Sequence, residues 1–206
     1  PTGLVRIPDA NVVPYKNFNL AGDAGQTMPV AGTASQTKFS YKMNMGAFHG
    51  MEVGVIGGTE KTSDRMREGV FVNMKLSLSA GEDEPNTLRL ALGVENLFSY
   101  TQTDVYMVAS KLLQQGPKAT FGFMADFPNN RFRPLGIGGL EFALSDNVIL
   151  IGDIMAGETL FQVNAGTRFY LSPIVSINLS ALNILSGDLV KDERSAYVGI
   201  SWANPF

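Results

Sequence analysis

Few side chains in this sequence could do acid–base, nucleophilic or metal chemistry. The single histidine, His49, stands in the dipeptide His49-Gly50, and the chain has no cysteine. A Ser–His pair needs a hydroxyl and a carboxylate held beside the imidazole; His49 reads instead as a polar turn residue. One histidine and no cysteine do not make a zinc set. The acidic stretches GEDEP (81–85) and SGDLVKDE (186–193) lack the spacing of an EF-hand loop and read as solvated turns. The glycine phrases GVIGG (54–58) and GIGG (136–139) do not follow a phosphate loop. They read as bulges or tight packing in a curved sheet. The expectation is a chain without metal or cofactor, and not an enzyme.

What remains is a set of charges on the polar parity of alternating segments. The cations are Lys38, Lys42, Lys75, Arg89 and Arg168; the anions are Glu52, Glu95, Glu141 and Asp153. If the segments close into a ring, these nine face one interior. A mostly basic wall (Lys38, Lys42, Lys75, Arg89) then stands opposite a partly acidic one (Glu141, Asp153). Walls of charge set the selectivity of pores, and a basic one favours anionic solutes, acidic sugars included. The same charges would also serve to pair with one another and fill a narrow interior, since buried charges need partners. Tyr106, Met124 and Phe71 fall on the same parity and would help to fill it. Both readings stand at this point.

The backbone that would carry these charges is written in period two. Phe39, Tyr41, Met43 and Met45 alternate with Lys38, Ser40, Lys42 and Asn44; Leu88, Leu90 and Leu92 alternate with Arg89, Ala91 and Gly93. The pattern recurs to the end, where Val198, Ile200 and Trp202 alternate with Tyr197, Gly199 and Ser201. With a short strand around 15–22, about twelve strands are expected. Composition agrees: 45% hydrophobic, only 17% charged and 22 glycines in 206 residues. A net charge of −3 gives nucleic acid no basic face to bind. No apolar run is long enough for a transmembrane helix.

The expected connections alternate in length. One set holds residues 23–34, 58–68, 98–102, 128–133, 157–158 and 186–193; the other holds HG, GEDEP, QQGP, SDN and SP. Long loops at one rim and short turns at the other are the habit of an up-and-down barrel in an outer membrane. In lipid every backbone N–H and C=O must pair within the protein, so a sheet crosses only by closing. The expected fold is all-β: a closed, antiparallel, up-and-down transmembrane β-barrel of about 12 strands over residues 15–206. Residues 1–14 are expected as an N-terminal periplasmic segment that contacts a partner or tucks into the lumen. A soluble barrel with an apolar inside is the rival, told apart by where the apolar face points.

The last strand resembles the C-terminal signal of bacterial outer-membrane β-barrel proteins, which often end on an aromatic residue. Tyr197, Val198, Gly199, Ile200, Trp202 and Phe206 carry the likeness, and Asn204 departs from it. The resemblance implies the bacterial outer membrane as location, lipid around the barrel, and the barrel-assembly machinery as a partner during insertion. The opening GLVRIPDANVVPYKNFNLAG is similar to that of YjbH-type barrels linked to exopolysaccharide secretion. Two function classes follow: a narrow pore or export channel for small anionic or saccharide solutes, and a structural barrel that anchors a larger envelope assembly through a protein partner.

Overall fold

Alternation with β-branched and aromatic residues on one parity favours extended chain with one apolar face. The computed structural model describes residues 2–28, 34–58, 70–79, 87–97, 99, 102–114, 116–128, 131–186 and 194–204. They form twelve strands: β1 Phe18–Thr27, β2 Thr37–Phe48, β3 Met51–Gly58, β4 Val70–Ser77, β5 Leu88–Leu97 and β6 Asp104–Leu112. The second half holds β7 Lys118–Asp126, β8 Arg133–Ser145, β9 Val148–Ala156, β10 Phe161–Ser172, β11 Val175–Ser186 and β12 Ser195–Asn204. Each strand pairs antiparallel with its sequence neighbours, and β1 closes on β12 in a ladder from Phe18↔Asn204 to Thr27↔Ser195. No ladder edge is left open, as a barrel in lipid requires.

The apolar parity points outward. Phe123 is 70% exposed, Phe121 57% and Val198 52%, while inward-facing Glu52 and Lys75 are each 1% exposed. Burying charge and presenting phenylalanine is the reverse of a soluble protein, so the apolar band faces lipid. This removes the soluble rival. Phe18 and Trp202 meet edge to face at 5.3 Å, beside the rim where β1 starts and β12 ends. Aromatic rings of this kind sit at a membrane interface.

Two strand boundaries differ from the expectation. β1 starts at Phe18 and runs on to Thr27. Its outward side carries Gly22, Ala24 and Gln26, too weak an apolar pattern to read, yet ladders to β2 and β12 hold it on both sides. β8 starts at Arg133 and absorbs the GIGG phrase. That phrase lies in regular ladder; the bulge falls further along, between Ala143 and Ser145. At the end of GVIGG, Gly58 has φ +128°, which only glycine adopts without strain. Residues 59–69, 81–85, 187–193 and Phe206, which include most of both acidic stretches, lie outside the described residues.

Inward glycines lie opposite large side chains of the neighbouring strand. Gly25 faces Tyr197 and Gly93 faces Tyr106 in register. A β-carbon at either glycine would collide with the facing tyrosine ring. The tyrosines therefore lie along the wall.

Candidate functional site

The lumen is occupied on one side by residues 2–14. The chain enters at the short-turn rim, where Tyr15 bridges Gly46 and its ring stands 4.8 Å from that of His49. It then runs inward and doubles back. Leu4 N–H donates to the Ile7 carbonyl at 2.9 Å, Gly3 bridges Pro8, and the Thr2 hydroxyl donates to the Asn11 carbonyl at 2.8 Å. The segment is a small self-bonded loop inside the barrel.

Its apolar residues recur every third position: Leu4, Ile7, Ala10 and Val13, all buried. The first three pack on an inner apolar patch made by Ala91, Tyr106, Val108, Met124, Leu135, Ile137 and Ile151. This explains the stretch 148–154, apolar on both parities. One parity faces lipid and the other faces the inserted loop.

Its polar groups meet wall charges. Glu52 accepts from Thr2 N–H at 2.7 Å and Val13 N–H at 2.9 Å, and the Thr2 hydroxyl, 3.0 Å away, shares its one proton between Glu52 and the Asn11 carbonyl. Lys75 points its ammonium at the Thr2 carbonyl (2.8 Å), the Thr2 hydroxyl (2.6 Å), the Asp9 carbonyl (3.1 Å), the Asp9 carboxylate (3.2 Å) and the Asn11 carbonyl. Asp153 accepts from Arg6 N–H at 2.7 Å and from Ile7 N–H at 3.4 Å, and is steadied by Asn164 at 2.7 Å. Arg89 reaches the Asn11 side chain at 3.3 Å. Lys118 pairs with Asp9 and with Glu141, the latter at 3.4 Å. Asp9 belongs to the inserted loop and not to a spanning strand. Burial alone would raise its carboxyl pKa; Lys75 and Lys118 outweigh burial and hold it below the usual carboxylate range.

Beside the loop a cavity of about 890 Å³ remains. It is bounded by the loop on one side and by a hydroxyl- and amide-rich wall on the other: Asn19, Ser40 and Asn44 from β1 and β2, Ser176, Asn178 and Ser201 from β11 and β12. Pro173 and Ile174 line it at the short-turn rim, and Gln102, Asp126 and Arg133 at the long-loop rim. Lys42 lies on this wall, 3.4 Å from Asp23. Arg168 donates its Nε–H to Asn178 at 3.0 Å and has no acidic partner among the described residues.

All nine charges expected in the interior occupy inward positions, but they do not act as one wall. Glu52, Lys75, Arg89 and Asp153 hold the inserted loop. Lys42, Glu141 and Arg168 border the cavity, as does Glu95 near the long-loop rim, and Lys38 is buried at that same rim. Of the strand called an assembly signal, Tyr197 and Gly199 face inward and Trp202 faces lipid. Sequence reading missed Asp9, Asp23, Asp104, Lys118, Asp126 and Arg133. The last four stand at strand ends, where alternation gives no parity to read. Arg133 pairs with Asp126 across the β7–β8 rim. A signal that could have found the loop is the spacing of three at Leu4, Ile7, Ala10 and Val13, which fits no strand.

No protein-family model matches the chain, and no curated protein matches it. Solved structures do. A KdgM porin in complex with disordered oligogalacturonate is similar over 88% of this chain and 98% of its own, with 8% identity and a TM-score of 0.62. A NanC porin is similar over 89% and 98%, with 12% identity and a TM-score of 0.62. The COG4313 outer membrane channel from Pseudomonas putida F1 is similar over 97% and 100%, with 7% identity and a TM-score of 0.61. The fold is that of bacterial outer-membrane β-barrels, the closed antiparallel barrel of porins and channels.

Proposed function

We propose that the barrel is a narrow outer-membrane channel for small anionic or saccharide solutes. The observation that carries this reading is the polar cavity along the β10–β2 wall, with Arg168 facing it and no acidic counter-charge on it among the described residues. Hydroxyl and amide groups supply the two-way hydrogen bonding that a sugar needs. A guanidinium held at Nε by Asn178 keeps its outer N–H groups for a carboxylate. One similar porin is described with oligogalacturonate, an acidic saccharide, which supports the solute class.

Lipid surrounds the apolar band, and the barrel-assembly machinery reads β12 during insertion. An envelope protein partner fits the second reading, a structural anchor, which the filled side of the lumen favours. Conductance in a planar bilayer decides between them. A channel gives current above the bare membrane, with a reversal potential on the anion side that Arg168→Gln moves toward zero. No current above baseline overturns the channel.

A further inference from the structure

We propose that residues 2–14 are a displaceable plug, and that Glu52 and Lys75 are the latch that holds it. The inference rests on the channel reading above and adds a moving part to it.

Four observations meet here. First, the loop is bound to itself by the Leu4–Ile7, Gly3–Pro8 and Thr2–Asn11 contacts, so it can move as one body. Second, it adds no strand to the sheet. All twelve ladders close without it, and the wall grips it through individual side chains: Glu52, Lys75, Asp153 and Ser110, the last accepting from Ala10 N–H at 3.0 Å. Among the described residues, releasing it breaks no strand-to-strand hydrogen bond. Third, a tight turn stands where it enters. Asn17 N–H donates to the Pro14 carbonyl at 2.9 Å, and Lys16 takes φ +66°, a left-handed value uncommon for a non-glycine residue.

Fourth, the latch has a second arrangement available. Glu52 and Lys75 are directly opposite one another in the β3–β4 register. Facing positions of an antiparallel pair are close enough for their side chains to meet. With the plug seated, Glu52 accepts from plug N–H groups and Lys75 donates to plug oxygens. With it withdrawn, the two close on each other, and neither charge is left stranded. Two discrete pairings of the same side chains make a switch, which a wall of unpaired charges would not.

The absence of cysteine makes the test clean. A β-carbon at Gly166 would lie 3.2 Å from Val5 Cγ2, so the pair Val5→Cys and Gly166→Cys is near enough for a disulfide that pins the plug tip to β10. The full chain carrying both is recorded in a bilayer, oxidised and then reduced. The oxidised form should show one small level, and reduction should restore excursions to a larger one. As a second readout, Ala10→Cys, at a site now 1% exposed, is exposed to a membrane-impermeant thiol reagent. Labelling of the folded barrel shows that the plug leaves. Identical traces in both redox states together with full protection at position 10 overturn the proposal. Labelling at position 10 without any current supports the plug and overturns the channel.

Discussion

Replacing Lys75 by methionine should loosen the plug without opening the barrel. The ammonium has five plug oxygens within reach but only three protons, so it makes three good bonds at a time. Hydrogen bonds to a charged group each contribute about 1.5–3 kcal/mol, and removing one partner of a buried ion pair costs about 3–5 kcal/mol. Three effects reduce that cost here. The free state loses the facing Glu52–Lys75 pair as well. Asp9 keeps Lys118, and the variant no longer has to hold a desolvated ammonium in the seated state. A net loss of about 2–3 kcal/mol is the reasonable expectation, which is about 30- to 150-fold in the seated-to-free ratio. The assay is the labelling rate of Ala10→Cys with and without Lys75→Met. When opening and closing are fast, that rate follows the open population and rises by the same factor. The barrel itself should keep its resistance to SDS before boiling, because no ladder bond involves the Lys75 side chain. A change below about threefold, with that resistance intact, would refute the argument that this lysine is what holds the plug.

Other expectations are quickly checked. Arg168→Gln should lower anion preference in reversal-potential measurements and leave the labelling of position 10 alone, because Arg168 makes no hydrogen bond or ion pair with the plug among the described residues; a change in labelling would show that it helps to seat the plug. Asp9 is held below its ordinary value, so its contribution is complete above the ordinary carboxylate range and fades as pH falls through the depressed value. Labelling of position 10, divided by the rate of an exposed cysteine at the same pH to remove the fall in thiolate, should therefore stay flat from pH 7 to about 5 and rise only in stronger acid; a rise near neutrality would count against the Asp9–lysine clamp. Gly93→Ala puts a methyl into the Tyr106 ring and should cost about 1–3 kcal/mol of barrel stability, read as earlier loss of SDS resistance on heating.

Much of this fold was legible because lipid imposes a simple rule on sequence. A strand between lipid and lumen must alternate, and β2, β5 and β12 do so cleanly. β1 was less legible because Gly22 and Ala24 stand where apolar side chains would mark the lipid face. Parity alone puts the nine interior charges on one face of the sheet. Their partners were not legible, because partnership depends on which strands meet in register and on a loop that arrives from outside the sheet. Lys75 looked like one element of a basic wall until Thr2, Asp9 and Asn11 were found against it. Residues 2–14 gave no strand signal, since prolines at 8 and 14 forbid regular pairing, and their spacing of three has no place in a sheet.

The tyrosines that lie flat across glycines decide how wide the barrel's bore is. Tyr106 uses the volume that Gly93 leaves empty, and Tyr197 that of Gly25. The thickness of the lining is then a property of cross-strand pairs and not of single positions. Enlarging one member narrows the passage only if its neighbour fails to shrink, and shrinking a tyrosine alone opens a niche beside the glycine. The calibre of such a barrel would drift in evolution by paired steps, one strand answering the next, while the number of strands stays the same.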